Sequence, residues 1–92
     1  MEKYRINATT VEITESTTLQ PDDRYGAWMA VNQGTATAKV LGYELQPGEG
    51  VSFLDAVPAG SRWGSAIQII CNAGASVRVT RLQYMPLDEK KG

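Results

Sequence analysis

The stretch from Val40 to Phe53 places the tightest limit on how this chain can fold. Its sequence, VLGYELQPGEGVSF, contains two turn signals within a few residues of each other. Leu41-Gly42 is short enough to close a hairpin. At Pro47-Gly48 the proline has a fixed φ and the glycine after it tolerates a positive φ, which favours a turn. The valine, tyrosine and phenylalanine residues around these turns favour the pleated surface of a β-sheet. The stretch therefore predicts three strands joined by a hairpin and a corner.

Alternation of apolar and polar residues continues on both sides of this stretch. The other predicted strands cover residues 4–14, 25–32, 35–40, 66–71 and 76–84, and the turn Asn72–Ala75 is interpreted as a hairpin between the last two. Seven or eight short strands, with turn signals about ten residues apart, are typical of an antiparallel β-sandwich or a jelly-roll-like barrel. No helical period competes with this pattern. We expect an all-β fold.

The apolar residues change face within the first and the last predicted strand. In the first strand the period of two breaks between Ala8 and Val11, which predicts a β-bulge or a sheet crossing at Thr9-Thr10. In the last strand the period breaks between Val79 and Leu82, which predicts a second bulge.

Size and cysteine content indicate one soluble domain. The 92 residues predict a single domain over 1–92, with a short charged tail at 87–92. The only cysteine, Cys71, has no partner for an internal disulfide and is interpreted as a small buried apolar residue in a protein from a reducing compartment or an assembly. The N-terminal residues lack the apolar core of a signal peptide, and no run has the length of a membrane span.

Charge and residue types argue against most partners and most enzyme chemistry. The formal net charge of −1 gives no electrostatic reason to expect nucleic acid, and no membrane partner is expected. The chain has no histidine, which removes the commonest general base and the commonest metal ligand. We expect no enzyme activity, no metal and no cofactor. Asp22-Asp23 is the one candidate for a calcium site, but turn formation explains these carboxylates more simply.

Two irregular segments, 15–24 and 55–64, hold the candidate interface or ligand residues. Trp28 lies mid-strand and is expected in the core, and Arg78 and Arg81 are expected on solvated strand faces. Trp63 has three open interpretations: a lid on the barrel end, a protein interface or a ligand platform. The candidate residues are Asp22, Asp23, Arg24, Tyr25, Arg62 and Trp63.

The turn motifs resemble those of small β-sandwich proteins from tailed-phage particles. The likeness spans about residues 26 to 84 and rests on Trp28-x-Ala30-Val31-Asn32-x-Gly34, on Val40-x-Gly42-x-x-Leu45-x-Pro47-Gly48-Glu49, and on Trp63 ahead of Ile67-x-Ile69 and Val77-x-Val79. The resemblance implies a virion component, such as a capsid decoration, head-fibre or tail protein, and brings no catalytic residues with it.

These observations predict a non-enzymatic protein that docks on a larger particle. Its expected partners are copies of itself and other virion proteins, and its expected location is the virion, assembled in the host cytoplasm. The alternative is a small carbohydrate-binding module that uses Tyr25, Tyr43 and Trp63 as a stacking platform. Under either hypothesis the Val40–Phe53 corner acts as scaffold.

Overall fold

A computed structural model describes residues 4–22, 24–53 and 62–86 of the chain. Asp23, most of the predicted loop at 55–64 and the predicted tail at 87–92 therefore lie outside the described residues. The regular structure of the described part is entirely β, which confirms the predicted fold class. Its eight strands are β1 (Tyr4–Ile13), β2 (Thr17–Leu19), β3 (Ala27–Asn32), β4 (Ala38–Val40), β5 (Tyr43–Leu45), β6 (Gly50–Ser52), β7 (Ile67–Cys71) and β8 (Val77–Pro86).

The strands form one long hairpin rolled into two antiparallel sheets. The first sheet has the order β1-β8-β3-β6 and the second has the order β2-β7-β4-β5. The first strand pairs with the last, the second with the seventh, the third with the sixth and the fourth with the fifth. This nested pairing of eight strands is the jelly-roll arrangement. The structure is therefore an antiparallel β-sandwich, as predicted, and its strands have the connectivity of the jelly roll that was the predicted alternative.

Leu41-Gly42 is the tip of the rolled hairpin. Both residues have positive φ, 50° for Leu41 and 83° for Gly42, as a two-residue hairpin turn between twisted strands requires. The predicted hairpin is thus confirmed.

The other strand connections pass from one sheet to the other. Asn72–Ala75 does form a turn, in which the Ala75 amide donates to the Asn72 carbonyl at 2.9 Å. The prediction that this turn closes a hairpin is wrong, because β7 and β8 belong to different sheets. Local turn chemistry reverses the chain at Leu41-Gly42 and at Asn72–Ala75. It does not determine whether the two strands joined by the turn pair with each other.

Asn32 ties three of these crossings together at one end of the sandwich. Its side chain is fully buried. The amide nitrogen donates to the carbonyls of Ala36 at 2.8 Å and Leu45 at 3.0 Å, and the amide oxygen accepts from the backbone N–H of Gly34 at 3.0 Å and of Ser76 at 3.4 Å. In the sequence Asn32 stands out only as part of the Val31-Asn32-x-Gly34 motif, which does not indicate these bonds.

The Pro47-Gly48 corner also docks on Asn32. The Glu49 amide donates to the Gln46 carbonyl at 2.9 Å, and Gly48 has a φ of 90°, which together describe a turn with proline at its second position. The backbone N–H of Asn32 donates to the Glu49 carbonyl at 2.8 Å, and the backbone N–H of Gly48 donates to the backbone carbonyl of Asn32 at 2.7 Å. The corner therefore carries the chain between the sheets and fixes where β6 begins.

β1 and β8 pair without a bulge. Their register is continuous from Tyr4 opposite Pro86 to Ile13 opposite Val77. The two predicted bulges are therefore wrong, and so is the predicted sheet crossing at Thr9-Thr10. Both strands stay regular, and their apolar residues change face in the same rows of the ladder.

The core lies between the sheets and contains the predicted Trp28, which is 1% exposed. Cys71 is half-buried rather than buried and packs against this core, and burial raises the pKa of its thiol. None of the described residues belongs to a helix with the length and apolar character needed to cross a membrane. The fully or nearly fully buried apolar residues are Ala27, Trp28, Ala30, Ala38, Val40, Leu45, Ile67, Ile69, Ala75, Val77, Val79 and Tyr84.

Candidate functional site

A small cleft lies at the end of the sandwich opposite to Asn32, where β3 begins. Its volume is about 10 Å³, roughly the room that one water molecule needs. Residues from the 20–25 segment, from the segment before β7 and from β3 and β8 meet there. The lining residues are Gln20, Asp22, Tyr25, Trp28, Trp63, Ile67 and Arg81.

Asp22 and Arg24 form an ion pair at the rim of this cleft. Arg24 Nη2 lies 2.7 Å from Asp22 Oδ2, and Arg24 Nε lies 2.9 Å from Asp22 Oδ1. The Arg24 backbone N–H also donates to Asp22 Oδ1 at 3.0 Å. This bond stabilises the turn that the sequence predicts at Asp22-Asp23. These bonds, chiefly the side-chain bonds from Arg24, lower the pKa of Asp22 to about 2.

Tyr25 lies against two guanidinium groups. The Arg24 guanidinium carbon is 5.6 Å from the centre of the Tyr25 ring, and the Arg81 guanidinium carbon is 4.5 Å from it. Both distances are those of a cation–π contact. The prediction of a solvated strand face is right for Arg78, which is exposed, and wrong for Arg81, which is half-buried. Nothing near Arg81 in the sequence indicates that Tyr25 covers it, so the sequence does not distinguish the two arginines.

Trp63 closes the cleft from the side of the second irregular segment. Its backbone N–H donates to the Tyr25 carbonyl at 2.8 Å, which joins the two candidate segments. Its ring meets Trp28 edge-on at 5.5 Å and lies 5.3 Å from Phe53, which in turn lies 6.4 Å from Tyr43. These contacts show that Trp63 packs over the end of the core, one of its three predicted interpretations.

Three residues that line this cleft each have a buried donor without an acceptor among the described residues. The donors are the indole Nε1 of Trp28, the indole Nε1 of Trp63 and the guanidinium Nε of Arg81. Trp28 and Arg81 are also direct neighbours across the β3–β8 ladder. A buried donor without a partner costs about 1–3 kcal/mol, so three of them in one place are an uncommon concentration of unmet hydrogen bonding.

Four of the six candidate residues therefore meet around one cleft. Asp22, Tyr25 and Trp63 line it, and Arg24 holds Asp22. Arg62 is exposed beside Trp63, and Asp23 lies outside the described residues. Four lining residues were not among the candidates: Gln20, Trp28, Ile67 and Arg81. The approach of Arg81 depends on long-range strand pairing, which no local motif encodes.

Neither a metal site nor an open stacking platform is formed by these side chains. Both Asp22 oxygens already accept bonds from Arg24, and the described residues hold no group of three or more carboxylates and thiols placed to bind a metal. The Tyr25 ring is covered by guanidinium groups and the Trp63 ring by other aromatics. Tyr43, at 54% exposed, is the most open of the three predicted platform residues.

A second candidate surface is the terminal ribbon, defined as residues 4–8 of β1 and 82–86 of β8. β3 pairs with β8 only as far as Leu82, so in the described part of the chain residues 83–86 pair with β1 alone. One face of the ribbon carries apolar side chains and no charge. These are Tyr4, Ile6, Ala8, Leu82 and Tyr84.

This apolar face points away from the core of the sandwich. Val11 of β1 packs against the core and Val79 of β8 belongs to it, and alternation places Ile6 and Tyr84 on the opposite side. Tyr84 is 7% exposed and meets Tyr4 edge-on at 6.0 Å, whereas Ile6 is 55% exposed. Ile6 and Ala8 of β1 are therefore exposed on this face, whereas Tyr4 is half-buried.

Comparison with protein-family models gives no match for this chain, and comparison with curated proteins gives none either.

The low pKa of Asp22 predicts a specific response to acid. Its carboxylate has a folded pKa of about 2, below its ordinary value of 3.8, so it stabilises the fold above about pH 4 and this contribution disappears as the pH falls through 2. We expect Asp22→Asn to be less stable than the wild type at pH 7 and equal to it below pH 2, measured by urea unfolding at each pH. The exposed Glu15→Gln serves as the control. A difference at pH 7 that persists unchanged in strong acid would contradict the ion-pair explanation.

Proposed function

We propose that this protein is a non-enzymatic docking module that assembles with copies of itself through the terminal ribbon, as a component of a phage particle. The proposal rests on one observation about β1 and β8. In both strands the apolar residues change from the core face to the outer face between the pairs Val11–Val79 and Ala8–Leu82, and the pairing has no bulge there.

A coincident change of face on two strands is informative because the strands are far apart in sequence. A register slip or bulge would have returned the apolar residues of the ribbon to the core side. Among the residues that the structure describes, no core lies there to receive them, since Ile67, the first residue of β7, already lines the end cleft with Arg81. An apolar outer face on the ribbon is suited to burial against another molecule.

A second copy of the chain is the partner that these features favour. The apolar face of the ribbon carries no charge, so two copies related by a twofold axis meet there without like-charge repulsion. β1 is also an edge strand of ten residues, and an edge strand of this length can add to a matching strand of another copy. Burial of both ribbons combines apolar contact with backbone hydrogen bonding.

The virion setting rests on the resemblance of the turn motifs and on analogy of fold. Jelly rolls occur in viral capsid proteins and also in lectins, so the architecture is compatible with the docking hypothesis and with the carbohydrate alternative. The open apolar ribbon favours docking between proteins. Tyr43 alone offers little of the stacking surface that a sugar site needs.

A single substitution on the ribbon tests the assembly. We expect the wild type to form an oligomer by size-exclusion chromatography with light scattering, and Ile6→Asp to be monomeric because a carboxylate would be buried without a partner. Ile70→Asp is the matched control, since Ile70 is an exposed isoleucine, at 41%, on β7 of the other sheet. It is expected to leave the oligomer unchanged.

Two results would contradict the proposal. One is a wild-type protein that stays monomeric at every concentration and also fails to form ordered assemblies by electron microscopy. The other is equal loss of the oligomer in Ile6→Asp and Ile70→Asp, which would indicate a general loss of solubility or folding. Circular dichroism of both variants separates unfolding from dissociation.

A further inference from the structure

A groove lies between β5 and β6, on the side of the sandwich where each sheet ends in an edge strand. Its volume is about 360 Å³, within the range of about 300–1,000 Å³ that is usual for sites of small ligands. The groove therefore has room for a side chain of another molecule, which the small cleft where β3 begins does not. The lining residues are Tyr43, Glu44, Leu45, Glu49, Gly50 and Val51.

The groove has an apolar wall that includes an open aromatic ring. Leu45 is buried, Val51 is half-buried and Tyr43 is 54% exposed. The Tyr43 ring lies 6.4 Å from the Phe53 ring, measured between ring centres, and the rest of its surface is available to an occupant. A long side chain can place its aliphatic stem along such a wall while its polar head stays at the solvent edge.

Charge determines which polar head the groove favours. Two carboxylates, those of Glu44 and Glu49, line the groove, and no cationic side chain does. Glu49 Oε1 accepts the Gln46 backbone N–H at 2.8 Å, whereas Glu44 forms no ion pair within the described part of the chain. Lys39, which is opposite Glu44 in the β4–β5 ladder, does not line the groove. A positively charged occupant therefore complements it.

The chain itself shows how an acid and a tyrosine hold an arginine. At the small cleft, Arg24 Nη2 lies 2.7 Å from Asp22 Oδ2, and the Arg24 guanidinium carbon lies 5.6 Å from the centre of the Tyr25 ring. The sequence Leu-Gln-Pro precedes both regions, at residues 19–21 and 45–47, but only the first is followed closely by an arginine. A planar guanidinium both stacks on a ring and pairs with a carboxylate, so it suits the groove better than an ammonium group does.

We propose that this groove binds an arginine side chain from a protein partner other than a second copy of the chain. The guanidinium stacks on the Tyr43 ring and donates to the Glu44 carboxylate, the stem lies against Val51, and Glu49 adds negative charge at the rim. Because β1 and β6 are opposite edges of the first sheet, copies joined through their terminal ribbons leave the groove uncovered. The site thus adds a second, independent contact to the docking module.

Three peptides of the same length test the groove on the full chain. We expect acetyl-Gly-Arg-Gly-amide, added at constant ionic strength, to shift the backbone ¹H–¹⁵N signals of Tyr43, Glu44 and Val51 along one saturation curve. The citrulline peptide, which is neutral and nearly identical in shape, is expected to bind at least about tenfold more weakly, and the lysine peptide to be weaker than arginine. No saturable shift, or an equal shift with citrulline, would overturn the proposal. Equal binding of the lysine peptide would overturn the assignment to arginine.

Variants assign the binding to the named side chains. Glu44→Gln removes the carboxylate that pairs with the guanidinium, and we expect it to weaken binding of the arginine peptide about tenfold. Glu15→Gln, an exposed carboxylate outside the groove, is the matched control and should bind like the wild type. Tyr43→Leu keeps the wall apolar, removes the ring and provides an independent check. Unchanged binding in both groove variants would exclude the site.

Two further measurements separate this occupant from a sugar and from a second copy. Maltose is expected to leave the groove signals in place, and saturable shifts with maltose would overturn the proposal in favour of a sugar site. Glu44→Gln is expected to keep the oligomeric state of the wild type, and loss of an oligomer would assign the groove to another copy instead. Ile6→Asp should bind the arginine peptide normally, so failure of the groove and failure of ribbon assembly are distinct results.

Discussion

Replacing Asn32 by alanine is expected to destabilise the fold by about 4 kcal/mol, because it removes the side chain that holds three sheet crossings together. The carbonyls of Ala36 and Leu45 and the backbone N–H of Gly34 each lose a bond of 2.8–3.0 Å. These groups lie around a side chain that is fully buried, so water does not replace all the lost bonds. Urea unfolding followed by tryptophan fluorescence measures the change.

Asn72→Ala is the matched control for this prediction. Asn72 is exposed, and its side-chain nitrogen makes one bond to Thr37 Oγ1 at 2.7 Å. We expect this substitution to cost no more than about 1 kcal/mol, because an exposed bond is readily exchanged for a bond to water. Similar losses in the two variants would show that the buried amide has no special role.

Gly34→Ala is expected to destabilise the fold by about 3 kcal/mol through steric conflict at the same end of the sandwich. A methyl group on Gly34 would lie 2.2 Å from the Gly74 carbonyl oxygen and 2.5 Å from the Ser76 backbone nitrogen. Both neighbours are backbone atoms of the crossing between β7 and β8, so neither can turn aside as a side chain would. The midpoint of urea unfolding is expected to fall accordingly.

Gly64→Ala provides the comparison, since a methyl group there meets nothing within 4 Å and its φ is not positive. It should be neutral or slightly stabilising, because alanine restricts the unfolded chain more than glycine does. A Gly34→Ala protein as stable as Gly64→Ala would show that the two crossings are not in contact in solution.

The sequence was sufficient for the parts of the fold that are encoded locally. The Leu41-Gly42 hairpin and the Pro47-Gly48 corner follow from the backbone angles that these residues allow, and the structure has both. The two faces of β3 were also predictable, because alternation alone places Trp28 and Asn32 on one side. Such features depend only on neighbouring residues in the chain.

Long-range features were not predictable in the same way. The apparent breaks of period near Thr9 and Thr80 have two explanations, a bulge or a change of buried face. Only the pairing of β1 with β8 decides between them. The same pairing, extended to β3, brings Arg81 beside Trp28. The two irregular segments meet at the cleft, but two of the three buried donors near it belong to Trp28 and Arg81, which lie on strands and were not candidate residues.

The nested strand pairing has a consequence for the order in which the chain folds. The β4–β5 pair closes around the two residues Leu41 and Gly42, whereas β1 must wait for β8, the last strand in the described part of the chain. Closing successively larger loops costs more chain entropy, so we expect folding to proceed outward from the hairpin tip and to be slow for a chain of this length. During synthesis β1 remains without its own partner strand. Under the proposed self-assembly, a neighbouring nascent copy supplies that partner by exchange of the first strand.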